Sequence, residues 1–153
     1  MTLSLSVKIK SFLGLYVLTP FEQELLKRLS EELEPSDQEV LTYQLAQFTT
    51  VRRLIRHLDE PNAYGFTNFH TMQLGKDVSA KRQTKRFPTA ENEALLATAH
   101  VTFDGGEIGV QFWLVKGILF SIEYRSPQKV YYPPDNYSIG SLKLWPNKAK
   151  LHL

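Results

Sequence analysis

The strongest constraint on the fold is the alternating run between Ala94 and Arg125. Leu95, Ala97, Ala99, Val101 and Phe103 alternate with Leu96, Thr98, His100 and Thr102, the period of two that sends successive side chains to opposite faces of a sheet. Asp104-Gly105-Gly106 then turns the chain, and Ile108 to Val115 returns. Lys116-Gly117 reads as a two-residue hairpin loop, although lysine suits its first position less well than asparagine would. Strands joined by such tight turns are antiparallel. The expected register pairs Val115 with Ile118, Trp113 with Phe120 and Gln111 with Ile122, giving one strongly apolar face. Phe112, Leu114 and Leu119 fall on the other face beside Ser121 and Glu123, so both faces are expected to be at least partly covered.

Before this sheet come two helix signatures. Thr19 can cap, Pro20 suits the first helical position, and Glu22 completes a capping box. Phe21, Leu25, Leu29 and Leu33 then mark one face, widened by Leu26. Pro35 separates this helix from the next, where Ser36 and Glu39 form a second capping box and Leu41, Leu45 and Phe48 mark a face beside Val40. Helices joined this closely are antiparallel neighbours. The expected class is α+β: an N-terminal antiparallel helix pair packed against a mainly antiparallel sheet of about four to six strands.

The remaining segments are weaker. Leu3, Leu5, Val7 and Ile9 alternate with Ser4, Ser6, Lys8 and Lys10, as in a half-buried strand or the lead-in to a short helix. Thr49 to Leu58 reads as β, with a continuing helix as the alternative; Asp59 to Gly65 is a turn segment and Phe66 to Leu74 a strand. Gly75 to Pro88 reads as a long basic loop. Residues 126–153 form a Pro/Tyr-rich, irregular C-terminal segment, with room for a short strand around Ile139 to Leu144. The 153 residues are expected to form one domain. The chain has no cysteine, which excludes disulfides, thiolate metal sites and cysteine nucleophiles. Phe12 to Leu18 is apolar but lacks a secretory cleavage site and is too short to span a bilayer, so a cytoplasmic location is expected.

Charge is unevenly distributed. Glu22, Glu24, Glu31, Glu32, Glu34, Asp37 and Glu39 stand against Lys27 and Arg28, whereas Lys76, Lys81, Arg82, Lys85 and Arg86 stand against Asp77. Arg52, Arg53 and Arg56 add a second basic group. Acids near a helix start are favourable, but Glu31, Glu32 and Glu34 lie toward the end of the first helix, where the dipole disfavours them. A basic partner is one reason to retain them; solubility is the other.

Motifs for chemistry are absent. His57, His70, His100 and His152 share no metal-ligand spacing. Asp104-Gly105-Gly106-Glu107 lacks the alternating oxygens of a calcium loop and reads as a turn. There is no phosphate-cradling glycine motif and no serine elbow. No cofactor, metal or catalytic residue is assigned. An RNA-directed activity would need His57, His70 or His100 to converge as acid and base, with Arg52, Arg53, Arg56, Lys81, Arg82, Lys85 and Arg86 holding phosphate. Self-pairing of the second apolar sheet face would instead give a homodimer.

The run Gln111-Phe112-Trp113-Leu114-Val115-Lys116-Gly117-Ile118-Leu119-Phe120-Ser121-Ile122-Glu123-Tyr124 follows an acidic helical hairpin in a small cysteine-free chain. In that respect the chain resembles small uncharacterised bacterial proteins of the toxin-immunity type, which neutralise contact-delivered or polymorphic toxins. The run covers under a tenth of the chain. Immunity proteins that block nucleases are often acidic overall, and the sequence pI here is about 8.8, so the helix pair would have to act locally. The resemblance implies a non-enzymatic binding protein that occludes a toxin's active site. Its expected contact set is Glu31, Glu32, Glu34, Asp37 and Glu39, with Tyr131, Tyr132 and Tyr137 as anchors.

Overall fold

The computed structural model describes residues 16–54, 65–126 and 130–145. Helices α1 (Pro20–Glu32) and α2 (Pro35–Gln47) precede strands β1 (Thr50–Leu54) and β2 (Gly65–His70). A short ribbon of β3 (Met72–Gln73) and β4 (Lys76–Asp77) follows, then the single turn α3 (Ser79–Arg82). The long strands β5 (Glu93–Phe103), β6 (Gly106–Val115), β7 (Ile118–Arg125) and β8 (Tyr137–Leu144) complete the regular elements among the described residues. The main sheet is six-stranded and antiparallel throughout, in the order β1-β2-β7-β6-β5-β8. The alternating meander therefore forms its middle, with β1 and β2 added on one side and β8 on the other. This is the expected α+β architecture. The strand expected at Leu3 to Ile9 and most of the turn expected at Asp59 to Gly65 lie outside the described residues.

α1 begins as its sequence requires. The Glu22 amide donates to Thr19 Oγ1 at 3.2 Å and the Thr19 amide donates to Glu22 Oε1 at 2.8 Å, a complete capping box. Phe21, Leu25, Leu26, Leu29 and Leu33 are buried against the sheet. α2 differs from expectation at its start. Pro35 does not separate the helices but occupies the first turn of α2, with Glu34 as its cap and no side-chain capping bond. Proline's fixed φ and missing N–H suit that position, so the helix starts earlier than the Ser36–Glu39 pair proposed. Its inner face also differs: Leu41 and Gln44 are buried, whereas Leu45 is only half-buried.

Gln44 earns an interior place because its amide is fully engaged. Nε2 donates to the carbonyls of Lys85 and Gly117, both at 3.0 Å, and Oε1 accepts from the Leu119 amide at 2.9 Å. A buried amide with these bonds escapes the desolvation penalty of an unpaired one and joins α2, the basic segment and the β6–β7 turn. That turn is the expected two-residue loop, with positive φ at both Lys116 (51°) and Gly117 (77°).

The register of the hairpin departs from expectation one step beyond the turn. Val115 faces Ile118 and Leu114 faces Leu119, but Trp113 then faces Ser121 rather than Phe120. Phe120 is the extra residue of a β-bulge, and Phe112 rather than Gln111 faces Ile122. The core face is consequently the one carrying Phe112, Leu114, Leu119, Ile122 and Tyr124, completed by Val101, Ile108, Val110, Phe69 and Val51. Trp113 and Phe120 remain half-buried.

The C-terminal segment is more regular than expected, since β8 extends the sheet beside β5. It is an edge strand, and its outward carbonyls are occupied by α1: Arg28 Nη2 donates to Gly140 O at 3.0 Å and Nη1 to Ile139 O at 3.5 Å. The segment expected as a long basic loop contains β4 and α3, and the strand expected from Phe66 to Leu74 is broken after His70, its far end forming β3.

Candidate functional site

The five carboxylates proposed as a contact set cluster at the connection of α1 and α2. Glu31, Glu32, Glu34 and Glu39 are exposed and Asp37 is half-buried. The connection is held firmly: Leu33 is buried beneath it, and Gln38 Nε2 donates to the Ser30 carbonyl at 2.7 Å across the two helices. α1 has no basic residue in its last turn, and no described residue forms an ion pair with Glu31, Glu32 or Glu39. Glu24 lies seven residues before Glu31 on the same side of α1, about 10 Å away along the axis. It accepts a hydrogen bond from Tyr137 Oη at 2.9 Å. Partial burial, then this bond and the nearby charge, push the Tyr137 hydroxyl up to about 12.

Only Tyr137 of the three expected tyrosine anchors keeps a partly open ring. Tyr131 and Tyr132 are buried, which removes them from any contact surface. Tyr132 packs edge-on against Phe21 and Tyr124, with ring centroids 5.2 and 5.7 Å apart, and its hydroxyl lies 2.5 Å from Thr19 Oγ1. Tyr131 closes over Gly65, where an added Cβ would stand 2.7 Å from the tyrosine Cβ. These rings are core because the chain must pass under α1 to reach β8.

His70 and His100, the two histidines among the described residues, do not converge. His70 Nδ1 lies 2.8 Å from Asp77 Oδ2 and His100 Nε2 lies 3.0 Å from Glu107 Oε2. Between β2 and β5 stand β7 and β6, and the register sets the two histidines near opposite ends of the strands, more than about 20 Å apart. They cannot share one reacting group. His57 and Arg56 lie outside the described residues. Asp77 is held below its ordinary carboxylate value: its slight burial opposes this and is outweighed by hydrogen bonds from Ser79 and His70.

The expected phosphate-binding arginines divide. Arg52 is exposed, but Arg53 is 4% exposed at its side chain and is a structural ion pair. Its Nε and Nη2 donate to the Glu22 carboxylate at 2.9 and 2.6 Å, and Nη2 also donates to the Val17 carbonyl. Thr67 Oγ1 donates to Glu22 Oε2 at 2.7 Å, and Tyr124 Oη lies 2.8 Å from the Thr67 hydroxyl. Burial and then the Glu22 charge push Tyr16 up to about 12, and the same causes raise Tyr124 well above its ordinary range. Burial alone is the largest cause of the rise at Tyr132. Sequence reasoning found Glu22 only as a cap; the one further signal was an arginine in a β-branched segment.

Lys81, Arg82, Lys85 and Arg86 are exposed on a segment that lies beside the C-terminal half of α2, at Tyr43 and Gln44. Tyr43 Oη joins them to the helix, lying 2.9 Å from Thr84 Oγ1 and donating to Arg82 O at 3.3 Å. Arg86 is tethered by bonds to the carbonyls of Gln83 and Lys116, at 3.0 and 3.4 Å. The acidic and basic surfaces thus sit toward the two ends of α2.

Among the described residues there is no group of three or more His, Asp or Glu placed to hold a metal ion, and no helix long and apolar enough to cross a membrane. Comparison of the chain with protein-family models, with curated proteins and with solved structures finds no match.

Proposed function

We propose that this protein is a non-enzymatic protein-binding module, most concretely a bacterial immunity protein that neutralises a cognate toxin by occluding its active site. The observation that carries this reading is the acidic connection between α1 and α2, held from beneath and without an ion-pairing base among the described residues at Glu31, Glu32 and Glu39. Carboxylates clustered on a well-held backbone attract a basic surface and speed its approach. Glu24 and the partly open Tyr137 extend the surface along α1. The reading places the protein in the cytoplasm of the cell it protects. Separation of His70 from His100 removes these two as a joint acid–base pair and adds support.

Affinity capture of the tagged protein from its host, with and without nuclease, tests the reading. A stoichiometric protein partner, lost when Glu31, Glu32, Glu34, Asp37 and Glu39 are all changed to lysine, is the expected result. Nuclease-sensitive recovery of RNA, or a protein partner indifferent to those substitutions, would overturn it.

A further inference from the structure

The large apolar side chains exposed among the described residues are Leu74, at 96%, and Trp145, at 43%. Leu74 is the more unusual because its backbone is also strained. It takes φ 51° in the β3–β4 turn, a conformation that asparagine or glycine adopts readily and an apolar branched side chain resists. Nothing in the fold gains from a leucine there.

The ribbon presenting it is firmly placed. The Val78 amide donates to Thr71 O at 2.8 Å, the Met72 amide to Thr49 Oγ1 at 2.8 Å and the Thr71 amide to Ser79 Oγ at 2.9 Å. Asp77 is engaged by His70 and by the Ser79 amide, both at 2.8 Å. Lys76 lies two residues along the chain from this knob, and Lys81, Arg82, Lys85 and Arg86 are exposed on the segment that follows. Arg82 Nη2 donates to Gln73 Oε1 at 3.0 Å, which draws its guanidinium against β3.

We propose that this end of the molecule docks peripherally on an anionic phospholipid bilayer. Leu74 enters the boundary of headgroups and acyl chains, and the cations nearest it, Lys76 and Arg82, lie against the headgroups with Lys81 beside them. RNA would engage the cations but has no use for the leucine. A protein interface needs a contiguous apolar centre, and Leu74 stands alone between Gln73, Gly75 and Lys76. A bilayer buries a single protruding side chain without a shaped socket. The inference is independent of the immunity reading.

Co-sedimentation of the full chain with vesicles of phosphatidylcholine alone, or of an equimolar mixture with phosphatidylserine, tests it. Binding to the mixed vesicles only, weakened by salt, is expected. Leu74→Asn, which suits the turn's φ, is expected to weaken binding about tenfold or more. Lys81→Gln with Arg82→Gln is expected to weaken it about twentyfold. Because the chain has no cysteine, Leu74→Cys can carry a single polarity-sensitive fluorophore, whose emission is expected to shift to the blue on the mixed vesicles. No binding at low salt, binding unchanged in Leu74→Asn, or a fluorophore that stays in water would overturn the proposal.

Discussion

Glu22 shows how one side chain can serve local and distant structure together. The capping box with Thr19 was legible, because both partners lie within four residues and the motif has a fixed spacing. The bonds from Arg53 and Thr67 were not, because those donors come from strands whose placement over α1 is a property of the folded sheet. For the same reason Arg53 was mistaken for a surface cation and Tyr132 for an interface anchor. Arg53→Ala is expected to cost about 3–5 kcal/mol in urea unfolding, since it leaves a buried carboxylate without its counter-charge. Adding Glu22→Gln in the same chain should recover part of that loss. The tyrosines around Glu22, with Tyr137 beside Glu24, set the alkaline limit. Tyr16, Tyr124, Tyr132 and Tyr137 are raised above the ordinary value of 10.0, so the fold holds them protonated where the unfolded chain would ionise. Their stabilising contribution is complete below pH 10 and is lost as pH rises through the folded values. Phenolate absorbance should therefore show Tyr124 and Tyr132 ionising only together with loss of circular dichroism.

At the scale of elements, the β6–β7 hairpin was the clearest prediction and also carried an error. Its turn followed from Lys116-Gly117, because few residues other than glycine tolerate the second position. The bulge at Phe120 did not, because Leu119, Phe120 and Ile122 are apolar on either side of it and both registers look equally hydrophobic. Gly117 has a second reason to be glycine. An added Cβ would lie 2.4 Å from the Phe87 carbonyl oxygen, so Gly117→Ala must move the segment that Gln44 and the Phe87 amide bind to the turn. Together with positive-φ strain, a loss of more than about 2 kcal/mol is expected from chemical denaturation. Leu29→Ala, in the fully buried stripe of α1, should cost about 2–5 kcal/mol in the same measurement. The start of α2 was misplaced because Pro35 can end one helix or open the next, and sequence alone does not choose.

Across the whole molecule, the segregation of charge was readable from the order of residues, but its geometry was not. α2 turns that segregation into two poles, with the carboxylates at its first turn and the cations beside its C-terminal half. If the acidic pole meets a basic partner, raising ionic strength should slow association far more than it speeds dissociation, which stopped-flow mixing separates. Charge reversal at Glu31, Glu32, Glu34, Asp37 and Glu39 should leave the melting temperature within a few degrees, because four of these side chains are exposed. The strand order carries a different consequence, one of timing. β2 takes its inner hydrogen-bond partner from β7, about fifty residues later in the chain, which at ordinary rates of synthesis emerges several seconds after it. Through that interval β1 and β2 have each other but no sheet, whereas β5, β6 and β7 follow one another through tight turns and can pair as they appear. The newborn chain thus waits on its second half, and the acidic helices that begin it are made before the surface that will hold them.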